Sequence, residues 1–264
     1  MIKLIVTDLD GSLLNDKKEI PAEFWEIEES LHKRGITFAI ASGRPLHNIA
    51  MEFDSIKDRT YFISDNGSYI VYKNDELLVM PLSEAIVNEF VAISRKIDNA
   101  YPVLCGKQMA FLEDNNEDVL KVALQYYQEY EIVKNLDAVK EPILKISICD
   151  FGNPSTNSYP YFKKYENDYK VAVAGTRWLD LTAFDADKGN AVKLLQQKLG
   201  VSYDETMVFG DYLNDLQLMK VGKYSFAMKN AQPEIIEAAN YITKFDNNEN
   251  GVVETIKEYF GKLL

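Results

Sequence analysis

The run Ile5-Val6-Thr7-Asp8-Leu9-Asp10-Gly11-Ser12 places two carboxylates directly after an apolar stretch that begins at Met1. Ile2, Leu4, Ile5 and Val6 read as a strand buried on both faces, where no water solvates a charge. Asp8 and Asp10 must therefore lie where that strand leaves the sheet. In open parallel α/β sheets, ligands bind beyond the carboxyl ends of the strands, so the pair falls where a site is expected. Gly11 lets the backbone turn sharply beside such a ligand. Two neighbouring acids cannot both ionise freely unless a cation or donor compensates them, and a divalent metal is the obvious compensator. The duller reading is a solvated turn with two ordinary surface acids, and the motif alone does not decide.

The rest of the chain repeats the pattern. A strand at Lys3–Thr7, a helix from about Pro21 to Arg34 and a strand at Ile36–Ala41 make a βαβ unit. Ser42-Gly43-Arg44-Pro45 follows the second strand, and a helix runs to about Phe53. A third strand, Tyr61–Ser64, ends at Asp65-Asn66-Gly67. A hairpin around residues 73–76 then leads into a middle section of mixed helices and antiparallel strands, including a helix predicted from Glu117 to Tyr130. After Asp187-Lys188-Gly189 the first pattern returns: a helix to Leu199, a strand at Thr206–Phe209, and Gly210-Asp211-Tyr212-Leu213-Asn214-Asp215. A helix is expected near Leu216–Lys220. The fold class is α/β: a Rossmann-like parallel-sheet core, discontinuous over 1–82 and 185–264, with an α/β unit inserted at 83–184.

With 264 residues, 47% hydrophobic and 27% charged, the chain can bury a substantial core. Its formal charge of -12 disfavours nucleic acid and anionic membranes as partners, and any anionic small substrate needs local positive charge or a metal. Cys105, Cys149, His32 and His47 have no zinc-ligand spacing. No run is long enough to span a bilayer, and the acids at 8 and 10 interrupt the only candidate leader, so a cytoplasmic setting is expected.

Asp8-Leu9-Asp10-Gly11-Ser12, Ser42-Gly43-Arg44, Lys188-Gly189 and Gly210 to Asp215 together resemble the four ordered motifs of haloacid dehalogenase-like (HAD) phosphatases. The order most resembles the Cof-type branch, whose α/β cap lies between the second and third motifs. Asn66-Gly67 and Ala227-Met228-Lys229-Asn230-Ala231 also fit. The resemblance implies Asp8 as nucleophile, forming an aspartyl-phosphate, and Asp10 as acid and then base. Ser42 and the Gly43 N–H would hold phosphoryl oxygens, and Lys188 would supply positive charge. Magnesium would be held by Asp8, Asp211 and the Asp10 carbonyl, with Asp215 behind it and Asn214 toward the phosphate. Ser12 stands where the family usually has Thr, and Tyr212 where a small residue is common.

The implied activity is Mg2+-dependent hydrolysis of small phosphorylated metabolites, sugar phosphates first, with a cap that sets specificity. A phosphosugar mutase is the second enzyme reading, although Arg95 and Arg177 are the only arginines between Ser83 and Phe184. A non-catalytic phosphoacceptor or binding module is the third. The chain leaves the oligomeric state open. Taken singly, Ser42 and Asn214 also suit helix caps, Lys188 a solvated helix start, His47 a surface helix, and Tyr126, Tyr127 and Tyr130 a packed helix face.

Overall fold

The computed structural model describes residues 1–113, 116–174 and 176–261. The chain runs β1 (Leu4–Thr7), α1 (Phe24–Lys33), β2 (Thr37–Ala41), α2 (Leu46–Glu52), β3 (Thr60–Ser64), β4 (Tyr69–Tyr72) and β5 (Asp75–Val79). It continues α3 (Glu84–Ser94), β6 (Ala100–Gly106), β7 (Ala110–Leu112), α4 (Glu117–Ala123), β8 (Tyr130–Ile132), β9 (Ile143–Asp150), α5 (Tyr159–Phe162), β10 (Tyr169–Ala174) and β11 (Trp178–Ala183). It ends α6 (Lys188–Leu199), β12 (Thr206–Gly210), β13 (Tyr224–Ala227), α7 (Pro233–Ala238), β14 (Tyr241–Ile242) and α8 (Gly251–Phe260). Two compact units result: Met1–Gly43 with Phe53–Leu77 and Asp187–Leu264, and Arg44–Glu52 with Leu78–Ala186. By its contacts α2 belongs to the second.

In the first unit the sheet order is β14-β13-β12-β1-β2-β3-β4-β5. β1 lies between β12 and β2, parallel to both, and its four residues are wholly buried, as an unbroken apolar run requires. Because β12, β1, β2 and β3 are parallel neighbours, their exits all open on one edge of the sheet. β4 turns back antiparallel to β3, and Lys73-Asn74, both at positive φ, close a tight two-residue hairpin to β5. The start of α6 is set locally. Asp187 caps it by accepting the Asn190 N–H at 2.7 Å, and Gly200 ends it in the left-handed conformation.

The second unit has the sheet β10-β11-β9-β6-β7-β8, antiparallel except for the β7–β8 pair. Period-two alternation divides its strands between two cores. Leu104, Ile146, Ile148, Leu179 and Leu181 pack with Phe90 and Phe162 on one face, and Val103, Cys105, Cys149 and Trp178 with Val119 and Tyr127 on the other. The second face also carries a polar chain: the Tyr127 hydroxyl donates to Ser147 Oγ at 3.0 Å, which donates to Asp180 Oδ1 at 2.7 Å.

Three local expectations are corrected. The helix predicted from Glu117 to Tyr130 stops at Ala123, and Tyr130 opens β8. Pairing with the open edge of β7 satisfies that segment's backbone, which outweighs helix propensity. Only part of the tyrosine face survives: Tyr126 and Tyr127 both pack edge-on against Trp178, with Tyr127 buried and Tyr126 half exposed, whereas Tyr130 is exposed in β8. The helix expected near Leu216–Lys220 is two 3-10 turns, Leu213–Asp215 and Leu218–Lys220. Asp215 tightens the first by accepting the N–H groups of Asp211 and Tyr212.

His47 is not the surface residue its helix suggested. Both ring nitrogens are shielded from solvent without a hydrogen-bond partner among the described residues. Burial lowers its pKa from the ordinary 6.5, against the raising effect of Glu129. The unfolded chain thus takes up the proton first as pH falls. The contribution of His47 to stability is full above about pH 6.5 and declines below it. In urea titrations at pH 7.0 and 5.5, His47→Gln is expected to lose less midpoint than the parent; equal losses would contradict this.

Candidate active site

Asp8 sits one residue beyond β1, and its N–H donates to the Phe209 carbonyl at 3.1 Å, so the sheet itself places it. Lys188, at the first turn of α6, is wholly buried. Its Nζ lies 2.6 Å from Asp8 Oδ1 and 2.6 Å from Asp215 Oδ1. The other oxygen of Asp215 accepts the Asp211 and Tyr212 N–H groups at 3.0 and 3.2 Å. Ser12 Oγ donates to Asp211 Oδ1 at 3.1 Å. Gly11 has φ +80°, and a Cβ there would collide with the Asp211 carboxylate. Carboxylate oxygens of Asp8, Asp211 and Asp215 lie within 4.8 Å of one another.

This crowding shows in the titration of the groups. Burial drives the Asp8 carboxyl well above its ordinary range; Lys188 opposes the shift, and Asp215 and Asp211 add to it. Asp211 is pushed up to about 6, by burial first and then by the charge of Asp215, against the Ser12 hydroxyl and Lys188. Burial disfavours the Lys188 ammonium, but Asp215 and Asp8 outweigh it and hold its pKa above the ordinary value.

Three carboxylates share one ammonium, so a doubly charged cation would balance the set. Oxygen donors of this kind suit a hard ion such as Mg2+. Both Asp215 oxygens are already engaged, which leaves Asp8 and Asp211 as the side chains able to hold the ion directly.

The remaining candidates are distributed unevenly. Ser42 is buried at the end of β2, its N–H on the Ile63 carbonyl and its carbonyl on the Asn66 N–H. Gly43 follows against the Asn66 side chain. Asn214 reaches Asn66 at 2.9 Å. Asp10 stands outside the carboxylate group and pairs with Lys18 at 2.6 Å, with 37% of its side chain exposed. The sequence reading missed Lys18, the Ser12 contact, the Asn66 bridge and Asn230, whose Nδ2 donates to the Gly11 carbonyl at 2.8 Å. A hydroxyl directly after Asp-x-Asp-Gly was a usable signal for Ser12, and Asn-Gly after a strand was one for Asn66. The segment at 227–231 that fits the family was one for Asn230, though not for its contact with Gly11; Lys18 had none.

A buried lysine braced between carboxylates, where loops after parallel strands converge, is an α/β strand-exit arrangement suited to an anionic group. The chain belongs to the haloacid dehalogenase-like hydrolases, a family that matches residues 5–256. It is 30% identical over 265 residues to the 5-amino-6-(5-phospho-D-ribitylamino)uracil phosphatase YbjI of Escherichia coli (strain K12), covering 97% of this chain and 95% of that one. It is 26% identical over 258 residues to the phosphatase of the same name, YcsE, of Bacillus subtilis (strain 168), covering 98% and 96%. Among solved structures, SMU.1108c from Streptococcus mutans UA159 superposes with a TM-score of 0.89 at 28% identity, covering 99% and 100%. The family and its phosphatase relatives make this chain a phosphoric monoester hydrolase. The four-motif resemblance is borne out.

Proposed function

We propose that the chain is a Mg2+-dependent phosphatase of small phosphorylated metabolites, sugar phosphates foremost, that works through an aspartyl-phosphate on Asp8. The observation that carries this reading is the buried Asp8 carboxylate, held at one oxygen by Lys188, which is itself braced by Asp215. One fixed oxygen holds the nucleophile in a single orientation before substrate arrives. An Asp8 oxygen bonds to phosphorus as the ester P–O bond breaks, and the departing alkoxide takes a proton from Asp10. Asp10 then removes a proton from the water that attacks the acyl phosphate, which frees orthophosphate and restores Asp8. For this, Asp10 must exchange Lys18 for a proton.

Lys188 offsets charge on the phosphoryl group, while Ser42, the Gly43 N–H and Asn214 hold its oxygens. Asp8, Asp211 and the Asp10 carbonyl would hold Mg2+, which would supply further charge neutralisation. Sugar phosphates are favoured because the relatives' names place the phosphate on a ribityl chain. The second unit is read as the cap of the resemblance, and the free thiols of Cys105 and Cys149 suit a reducing cytoplasm.

A mutase needs an anchor for a second phosphate. Arg95 is engaged by Glu113 at 2.8 Å and Asp137 at 3.1 Å, and Arg177 lies over the Phe151 ring, which favours hydrolysis. A turnover screen over phosphorylated sugars, polyols and nucleotides with Mg2+, scoring free phosphate against isomerised sugar, tests the reading. Isomerisation without phosphate release would favour the mutase, and a lasting aspartyl-phosphate without turnover the phosphoacceptor.

The metal assignment carries its own pH signature. Asp211 must shed its proton to take a cation, and its pKa is about 6. The Asp8 carboxyl, the other side chain placed on the ion, is raised as well, so apparent Mg2+ affinity should rise with pH by at least about tenfold per unit below that value. Calorimetric titrations from pH 5 to 7.5 measure this; an affinity that does not vary with pH would contradict it.

A further inference from the structure

Asp65, Asn66 and Gly67, at the exit of β3, have successive positive φ values of 48°, 56° and 100°. Asparagine tolerates this conformation, but a run of three persists only where its surroundings hold it. Here three sequence-remote segments do so. The Asn66 N–H donates to the Ser42 carbonyl at 3.0 Å, and Asn66 Oδ1 accepts from Asn214 Nδ2 at 2.9 Å. Gly67 lies so close to the Asp187 carbonyl that a Cβ would strike it, and 3.1 Å would separate that Cβ from the Lys188 backbone nitrogen. A Cβ on Gly43 would stand 2.9 Å from Asn66 Oδ1. One loop thus touches the segments that carry Ser42–Gly43, Lys188 and Asn214.

We infer that Asn66 is a positioning residue for phosphate binding: its carboxamide spans Gly43 and Asn214 and holds both in register. The inference rests on the phosphatase reading above. With Oδ1 accepting from Asn214, the Asn214 amide is fixed in one orientation, and Asn66 acts on the phosphoryl group through it. Loss of Asn66 therefore weakens binding of substrate and transition state alike, raising KM more than it lowers kcat.

The test is a double-mutant cycle read by calorimetry with orthophosphate and Mg2+. Asn66→Gly removes the carboxamide and keeps a backbone at ease with positive φ. Asn66→Ser, too short to reach Asn214, serves the same cycle if glycine lowers the thermal midpoint. Asn66→Gly and Asn214→Ala should each weaken orthophosphate about tenfold, and the double variant no more than the weaker single one. With p-nitrophenyl phosphate, Asn66→Gly should raise KM by about the same factor and lower kcat by less than about threefold. Additive losses, or an Asn66→Gly protein with parental orthophosphate affinity, would overturn the inference alone. A parent that binds no orthophosphate would overturn the phosphatase reading with it.

Discussion

Asp8→Asn is expected to lower kcat for phosphomonoester hydrolysis by about 10^4-fold or more while the fold persists. An amide oxygen of the same shape still accepts from Lys188 but does not form the acyl phosphate. Stability should move little because two effects oppose each other. The substitution gives up the ion pair to Lys188 at 2.6 Å, yet it also removes a buried charge that Asp215 and Asp211 repel. A raised carboxyl pKa means that ionising Asp8 disfavours the folded state above the ordinary carboxylate range, and asparagine does not ionise. Released phosphate at saturating substrate and the thermal midpoint in metal-free buffer are the measurements. A variant with parental turnover would remove Asp8 from the chemistry.

Lys188→Met should have the largest effect on stability. It leaves Asp8 and Asp215 facing each other, buried, without the ammonium they share. Removing one partner of a buried ionic set costs about 3–5 kcal/mol, because the remaining charges stay desolvated. Urea unfolding at pH 7.5 without metal should show a loss of that order. Part of it should return with Mg2+, which binds the folded state, and part at pH 5, where protonation discharges a carboxyl. Activity should fall about 10^2–10^3-fold even with Mg2+ present. A loss below about 1 kcal/mol would mean that water reaches the pair and that burial does not strand the two charges.

Much of this site was legible before any coordinates, for reasons that are local. Leu4 to Thr7 leave no room for a charge, so Asp8 had to mark a strand exit, and parallel strands put such exits on one edge. Asp187 and Gly200 announce the two ends of α6, and with them the position of Lys188. By contrast, the pairing of Asp10 with Lys18, the bridge from Asn66 to Asn214 and the commitment of both Asp215 oxygens depend on where loops come to rest. The strand at Tyr130–Ile132 was hidden for the same reason: its partner β7 supplies the hydrogen bonds that its own residues do not call for.

The amino-acid order alone therefore determined the α/β class, the strand exits and the types of chemical group placed at them, because burial and turn preference act over a few neighbouring residues. Tertiary structure decided which groups meet. Asp8 and Lys188 are 180 positions apart, and only the sheet order, its parallel register and the seating of α6 bring them to 2.6 Å. At that separation burial and Coulomb forces, rather than residue identity, set which carboxylates hold a proton and which oxygens remain to take a cation.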